Sequence, residues 1–405
     1  MNQVAVAVAS DTLTSRQSRG DTKTWPSQSK MIELPAPALG VVLHCGSVEL
    51  QSASWRLLIR EWIRRVPQKE IPTMAWLRDN FSSWLTSNLG LFGITDEAGV
   101  IERICAPEGE GGHLDWLKND LSDDLKARLI ADPASADVEV ALAINGIRKE
   151  RYTGEPFPDL SVAKARALLK RANIDCGKFF GSICSLPDGT SLGPKTSKAV
   201  EDFAVDVLRV IATWEPQSRI ELHFAGFGET EVLGHVAVLR ILGYWGGQLR
   251  ASLEEIGSTD PSEYPYWVPI AQTSAIQQFQ GGMSTDISDR VFSAVADAVQ
   301  AIPEVKEGTL DSVLNSVSES LVDFTQENYR GPFFQTLSGL GISNLGKFAD
   351  FLVHLQAFRS ATDNGEATVG GHIESLIISP EHGVRWRHRL TEETHDIEES
   401  AHAFE

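Results

Sequence analysis

The chain has few cysteines, a deficit of basic charge and no long apolar run, and each of these features excludes a class of protein. Its 4 cysteines match neither the spacing of a zinc motif nor a dense disulfide framework. Basic side chains number 36 against 55 acidic ones, a formal net charge of −19, which disfavours nonspecific binding to nucleic acid or to an anionic membrane. No run approaches the ~18 apolar residues of a membrane span, and no signal peptide opens the chain. We therefore expect a soluble cytoplasmic protein.

Size and composition favour a globular protein with a large core. The 405 residues are 42% hydrophobic and 22% charged, which is ordinary for a globular chain. The length allows two or three domains, and also one elaborated domain. We interpret residues 1–390 as one domain with helical or irregular insertions at about 96–136 and 150–215. The acidic segment 391–405 is poor in apolar residues and predicts a frayed tail.

Short apolar runs predict strands at both ends and in the middle of the chain. The main sheet strands are predicted at 4–8, 31–34, 39–43, 220–225 and 373–378. A hairpin is predicted from 235–242 and 248–253, and closing strands at 367–369 and 384–388. The segment 138–144, apolar except for Glu139, predicts one more buried strand. Short hairpins imply mostly antiparallel pairing.

Helical periodicity is clearest at 54–66, where Trp55, Leu58 and Trp62 recur on one face and arginines occupy the other. Further helices are predicted after Pro72 and at 121–130, 160–172, 195–214, 274–279, 286–301, 310–324 and 343–358. The segment 176–193 is interpreted as a loop-rich insert. Helices between groups of strands must cover the sheets, so the pattern predicts an α+β fold, a four-layer αββα sandwich.

Three segments together carry a family resemblance. They are 4–47, 220–228 with the hairpin that follows, and 368–386, which contains Val369-Gly370-Gly371. In this order they resemble an uncharacterised bacterial branch of the proteasome-like N-terminal-nucleophile (Ntn) hydrolases. The resemblance implies the αββα sandwich and hydrolysis of a peptide or small amide. In that chemistry the side chain of the first residue attacks, and its own α-amine, with a pKa of ~7.7–8.0, accepts the proton.

By order along the chain, the resemblance implies a catalytic role for three residues. Asp11 matches the buried acid of the family, Lys30 its lysine, and Gly46 the glycine of the oxyanion hole. A simpler role stays open for each residue. Asp11 could cap the loop after its strand, and Lys30 could be a solvated lysine, with Lys23 as the other candidate for the family lysine. Gly46 could be a turn residue that needs a positive φ. We expect the three to converge near the N-terminal end of the first strand, with the Asp11 carboxylate within ~10 Å of the Lys30 ammonium.

The first residues depart from the family pattern. Met1 and Asn2 supply no Thr, Ser or Cys nucleophile, and nine residues between Met1 and Asp11 are too few for the leading strand of the family. Two functions therefore stay open. One is an amide hydrolase whose true start lies upstream. The other is an inactive relative, a non-catalytic assembly or binding module that self-associates or binds a protein partner.

Other constellations predict neither a cofactor nor a metal ion. His44 and Cys45 are adjacent, and alternate faces of a strand separate their side chains. Gly226-Phe227-Gly228 lacks the third glycine and the helix of a dinucleotide site. The histidines that recur every seven residues from His388 onward lie in Glu-rich surroundings and do not predict a metal site.

Overall fold

The computed structural model describes residues 1–18, 21–26, 29–47, 49–50, 53–66, 71–93, 96–105, 112–186, 191–210, 220–257, 260–270, 273–302, 308–362 and 369–390. For residues 14–18, 21–26 and 285 it describes the backbone only. No helix in these ranges combines the length and apolar character needed to cross a membrane.

The strands fall at the two ends and in the middle of the chain, as predicted. They are β1 (Val6–Asp11), β2 (Leu13–Ser18), β3 (Asp21–Pro26), β4 (Met31–Glu33), β5 (Leu39–Cys45), β6 (Glu49–Leu50), β7 (Ala53–Ser54), β8 (Ile220–Phe227), β9 (His235–Trp245), β10 (Gln248–Ile256), β11 (Ile373–Ser379) and β12 (Gly383–His388). The first strand begins at Val6, two residues later than predicted, so Val4 and Ala5 lie outside it.

Helices occupy most of the remaining chain. They are α1 (Trp55–Ile63), α2 (Met74–Asn88), α3 (Glu97–Cys105), α4 (His113–Asp120), α5 (Asp123–Ala131), α6 (Asp137–Arg151), α7 (Val162–Arg171), α8 (Cys176–Ile183), α9 (Pro194–Arg209), α10 (Ser274–Gly281), α11 (Thr285–Gln300), α12 (Thr309–Thr325), α13 (Gly331–Gly339) and α14 (Ile342–Thr362). Short 3-10 turns lie at Leu89–Phe92 and Pro261–Glu263, and a π-helical turn at Gln326–Arg330 joins α12 to α13.

The strands form antiparallel sheets, so the predicted mixed α+β class is confirmed. The largest has the order β10-β9-β8-β5-β4, and a second has the order β1-β11-β12. Two small hairpins, β2-β3 and β6-β7, stand beside them. The predicted hairpin of β9 and β10 is present, with a register shift between Arg250 and Ala251.

The five-stranded sheet has an apolar side chain layer on each face. On one face, Phe224 of β8 meets Trp62 of α1 edge-on at a centroid distance of 6.0 Å, and Phe81 of α2 packs on the same Trp62 at 5.2 Å. Such aromatic contacts add to the burial of α1 and α2 on this sheet. Trp62 and Phe81 are therefore core residues.

The opposite face of the five-stranded sheet meets the three-stranded sheet. Val6 and Leu376 of the smaller sheet share a buried cluster with Val41 and Val238 of the larger one. The far side of the smaller sheet packs on helices, because Ile377 is buried with Leu345 of α14. Residues i and i+1 of a strand point to opposite faces, which explains why neighbours in β11 enter different clusters.

Helices α3 to α9 form a separate apolar cluster beside Trp245 at the end of β9. The prediction of a buried strand at 138–144 is wrong, because this segment lies inside α6. Val140 and Ile144 are buried whereas Leu142 is 67% exposed, a helical spacing that a short apolar run does not distinguish from a strand.

The loop-rich prediction for 176–193 is also partly wrong. It contains α8, and the carboxylate of Asp175 caps this helix by accepting a hydrogen bond from the Lys178 N–H at 2.9 Å. In the predicted closing strand 367–369, only Val369 is described, and it is not in a strand. The predicted tail at 391–405 lies outside the described residues.

Candidate functional site

A cavity of about 190 Å³ lies beside β1, between the two main sheets and α14. All six residues of β1 line it. Side chains of successive residues point to opposite faces of a strand, so six consecutive lining residues mean that the edge of β1 faces the cavity. This edge is open, because β1 pairs with β11 on one side only within the described part of the chain.

The opposite wall of the cavity comes from residues 267–270, which are in neither a helix nor a strand, and from α14. The segment is anchored where the Met1 N donates to the Tyr266 carbonyl oxygen at 2.8 Å and the Tyr266 N–H donates to the Met1 carbonyl oxygen at 3.1 Å. Trp267 follows directly, and its buried indole Nε1 has no hydrogen-bond partner among the described residues. Most of the remaining wall is apolar, including Phe348 and Leu352.

An ion pair of Lys30 with Asp11 closes one end of the cavity. The Lys30 Nζ lies 2.7 Å from the Asp11 Oδ1 and donates a second hydrogen bond to the Leu13 carbonyl oxygen at 2.8 Å. The side chains are 19% and 13% exposed, so the pair is sheltered but not fully desolvated. The distance between the Lys30 ammonium and the Asp11 carboxylate is therefore well below the ~10 Å expected from the sequence.

The Val-Gly-Gly segment holds the Asp11 carboxylate from its other side. The Gly370 N–H donates to Asp11 Oδ2 at 3.2 Å, and the Gly370 carbonyl oxygen accepts from the Leu13 N–H at 3.1 Å. Gly371 has φ +72°, and a Cβ there would lie 3.1 Å from the Thr12 Oγ1. Two distant segments that carry the family resemblance therefore meet at this carboxylate.

The position of the three predicted site residues differs from the expectation. Asp11 is the last residue of β1, so it and Lys30 lie at the C-terminal end of the first strand and not at its N-terminal end. Gly46 directly follows β5 with φ +83°, which is the left-handed conformation that favours glycine. Its neighbour Cys45 lines the cavity, and Gly46 does not.

A second polar group, which was not predicted from the sequence, lies on the sheet face at the same cavity. Cys45 of β5 is the cross-strand partner of Glu221 on β8, and the Cys45 thiol donates to Glu221 Oε2 at 3.8 Å. The same oxygen is 2.9 Å from the His223 Nε2, and Glu221 Oε1 accepts from the Arg240 Nε at 2.9 Å. The signal that could have found it is Glu-x-His on a predicted strand, since alternate residues share a face.

The Cys45 thiol is not an activated nucleophile. Burial, together with the neighbouring Glu221 carboxylate, raises its pKa to about 12. At neutral pH the sulfur therefore keeps its proton, whereas a catalytic cysteine needs a lowered pKa. Burial and the nearby charges of Lys30 and Arg56 lower the pKa of His44 to about 4, so this imidazole is neutral.

Comparisons with protein-family models, with curated proteins and with solved structures found no match to the chain. The contacts around the cavity therefore carry the functional argument.

Proposed function

We propose that the chain is an Ntn-hydrolase-fold protein of the proteasome-like type that binds a small amide or a peptide in the cavity beside β1 without cleaving it. One observation carries the proposal. The Lys30–Asp11 pair stands at the end of an apolar cavity that runs along the open edge of β1. The acid and the lysine are those that the family resemblance implies.

The packing of the two sheets supports the fold part of the proposal. Helices α1 and α2 pack on the five-stranded sheet, the three-stranded sheet packs on its opposite face, and α14 packs beyond that. This succession of contacts is the one expected of a four-layer αββα sandwich. The helical cluster of α3 to α9 then corresponds to the insertions predicted at about 96–136 and 150–215.

The volume of the cavity limits the ligand. An engineered apolar cavity of ~150 Å³ accommodates benzene, so about 190 Å³ accommodates one apolar side chain. A longer peptide must leave the rest of its length outside the cavity. Open strand edges bind extended peptides through main-chain hydrogen bonds, while pockets select the side chains.

Two donors at the cavity suit the carbonyl oxygens of an amide ligand. The ammonium of Lys30 is fixed by Asp11 at one end, and the buried Trp267 Nε1 has no hydrogen-bond partner within the described ranges. A buried donor without a partner costs free energy. A carbonyl oxygen of the ligand that accepts a hydrogen bond from this donor removes that cost. The apolar wall contributes by removing the ligand side chain from water.

The described side chains support binding better than catalysis. The Cys45 thiol is protonated, and the Ser10 hydroxyl donates to the Asp11 carbonyl oxygen at 3.1 Å and not to a base. Nucleophilic catalysis needs a nucleophile activated by a neighbouring base or by a lowered pKa. The ion pair of Lys30 with Asp11 can orient a ligand and neutralise its charge, but it does not supply a nucleophile that attacks the amide carbon.

Binding can be tested with blocked amino acid amides in a calorimeter. N-acetyl-leucinamide and N-acetyl-phenylalaninamide are expected to bind, and N-acetylglycinamide, which lacks the apolar side chain, is expected not to. Ala9→Leu fills the cavity from β1 and should abolish binding, whereas Ala163→Leu on the exposed side of α7 should leave it unchanged. Equal binding of all three ligands to the wild-type protein, or equal binding by the two variants, would contradict the proposal.

An amide hydrolase is the second candidate. It is favoured by the 2.7 Å separation of Lys30 and Asp11, which matches the acid and lysine of that chemistry. It requires a nucleophile delivered beside Lys30 by a segment or chain other than the described residues. Release of a fluorogenic amine by protein expressed from an upstream start, and its loss in Lys30→Met, would support this candidate.

A further inference from the structure

We propose that Cys45, Glu221 and His223 bind one zinc ion on the sheet face beside the cavity. Their ligand atoms, one from each side chain, all lie within 4.8 Å of one another. The zinc proposal does not rest on amide binding, because it uses a different set of side chains, on the five-stranded sheet.

The sheet itself arranges the three ligands. Glu221 and His223 are two apart on β8 and therefore share a face, and Cys45 is paired directly with Glu221 across the sheet. All three positions lie in a register fixed by the β5–β8 ladder. Such a scaffold is rigid, and rigid ligands lose little entropy when a metal binds.

The measured separations are close to those of a tetrahedral zinc site. Zinc bonds of ~2.1 Å to nitrogen and oxygen and ~2.3 Å to sulfur place ligand nitrogen and oxygen about 3.4 Å apart, and sulfur and oxygen about 3.6 Å apart. The observed values are 2.9 Å between His223 Nε2 and Glu221 Oε2 and 3.8 Å from Cys45 Sγ to that oxygen. To admit the ion in place of the bridging proton, the first separation must lengthen by roughly half an ångström and the second must shorten by about 0.2 Å. The third separation, from Cys45 Sγ to the His223 ring nitrogen, is within 4.8 Å.

The ligand types select the metal. Sulfur and imidazole nitrogen exclude magnesium and calcium, which take oxygen ligands. Zinc accepts sulfur, nitrogen and carboxylate oxygen together. Three protein ligands leave a fourth position, and because Cys45 and His223 both line the cavity, that position is reached from the cavity.

The charges around the ligands balance a divalent cation. Around the site, two cations and three carboxylates form two groups of ion pairs: Lys30 with Asp11, and Arg240 with Glu221 and Glu254. They sum to one negative charge, and the thiolate of Cys45 adds a second when the metal displaces its proton. Zinc then neutralises the group, so the two nearby cations do not exclude it.

One further contact is of the kind expected around a metal ligand. Arg240 holds Glu221 Oε1 at 2.9 Å and leaves Oε2 directed at Cys45 and His223. Outer partners of this kind orient ligating carboxylates.

The test is titration of chelator-treated protein with zinc alone, with a chromophoric chelator as competitor. The wild-type chain is expected to bind one equivalent. Cys45→Ser and His223→Gln should each weaken binding at least about tenfold, whereas Cys184→Ser, a buried thiol in the helical cluster, should not change it. Cobalt should give a near-ultraviolet sulfur-to-metal band in the wild type that Cys45→Ser lacks.

A second measurement keeps the proposal falsifiable if a variant fails to fold. In the wild-type protein loaded with zinc, X-ray absorption at the zinc edge should show one sulfur ligand at about 2.3 Å. A zinc environment without sulfur, or binding that persists unchanged in a folded Cys45→Ser, would place the metal at other residues and overturn the proposal.

Discussion

The guanidinium of Arg250 and the carboxylate of Asp159 form two parallel hydrogen bonds, of 2.7 and 2.8 Å. Arg250 lies on β10 and is 2% exposed, and Asp159 precedes α7 in the helical cluster. The Arg250 Nε also donates to the Trp245 carbonyl oxygen at 3.1 Å, and the guanidinium lies 4.7 Å from the ring centroid of Phe157. This buried arginine joins the helical cluster to the sheet.

We expect Asp159→Asn to destabilise the protein by about 1–2 kcal/mol, because the buried charge of Arg250 loses its anionic partner, while water at Asp159, which is 41% exposed, screens part of the effect. Denaturant unfolding at neutral pH measures the change. The matched control is Asp124→Asn, since Asp124 is 79% exposed and 3.7 Å from Arg128, and its loss should cost at most about 0.5 kcal/mol. Equal effects of the two substitutions would show that Arg250 does not depend on this bond.

The sequence predicts the features of this fold that depend on local pattern. The spacing of Trp55, Leu58 and Trp62 defines the buried face of α1, and alternation along the chain locates most strands. The run at 138–144 is misread because an apolar segment of seven residues fits a strand as well as two turns of helix. Tertiary contact decides such cases, here through the packing of α6 on α9.

The site is predictable only in part, for a related reason. Asp11 and Lys30 are found through their order in the chain, and the structure brings them together. The group of Cys45, Glu221 and His223 requires the pairing of β5 with β8, two strands separated by the entire helical cluster. No single window of sequence contains that register.

Gly46 provides a test of the simpler role considered for it. We expect Gly46→Ala to cost about 1–2 kcal/mol, because alanine is strained at φ +83°. Binding of N-acetyl-leucinamide should be unchanged, since Gly46 does not line the cavity. The control is Gly90→Ala, where a Cβ meets nothing within 4 Å. Weaker amide binding in Gly46→Ala at unchanged stability would assign this glycine to the site instead.

His113 makes stability depend on pH. Burial, and secondarily the charge of Arg151, lowers its pKa to about 4, and its Nδ1 lies 2.5 Å from the Tyr152 hydroxyl. Between the unfolded pKa of ~6.5 and about 4, the unfolded chain binds more protons at this residue than the folded one. Stability contributed by neutral His113 is therefore complete above pH ~6.5 and falls with pH, by about 3 kcal/mol at pH ~4.

His113→Asn should flatten that dependence, because asparagine keeps a polar atom near the Nδ1 position and does not titrate. The measurement is the free energy of unfolding at intervals from pH 7 down to about pH 4. His382→Asn, a substitution at an exposed histidine, serves as the control and should leave the slope unchanged. A slope that is identical in His113→Asn and the wild type would mean that other groups carry the acid sensitivity.

The last prediction concerns catalysis. Protein with this sequence should not release amine from fluorogenic peptide amides, because the Cys45 thiol keeps its proton and the Ser10 hydroxyl bonds to a carbonyl oxygen and not to a base. The Lys30–Asp11 pair holds charge at the cavity but cannot form an acyl-enzyme without a nucleophile. The assay combines a peptide amide mixture with an electrophile that traps Thr, Ser and Cys, followed by mass mapping of the chain, and Lys30→Met is the background control. Turnover that survives purification, disappears in Lys30→Met and leaves an adduct inside the chain would show that this protein cleaves its ligand, and the mapped residue would identify the nucleophile.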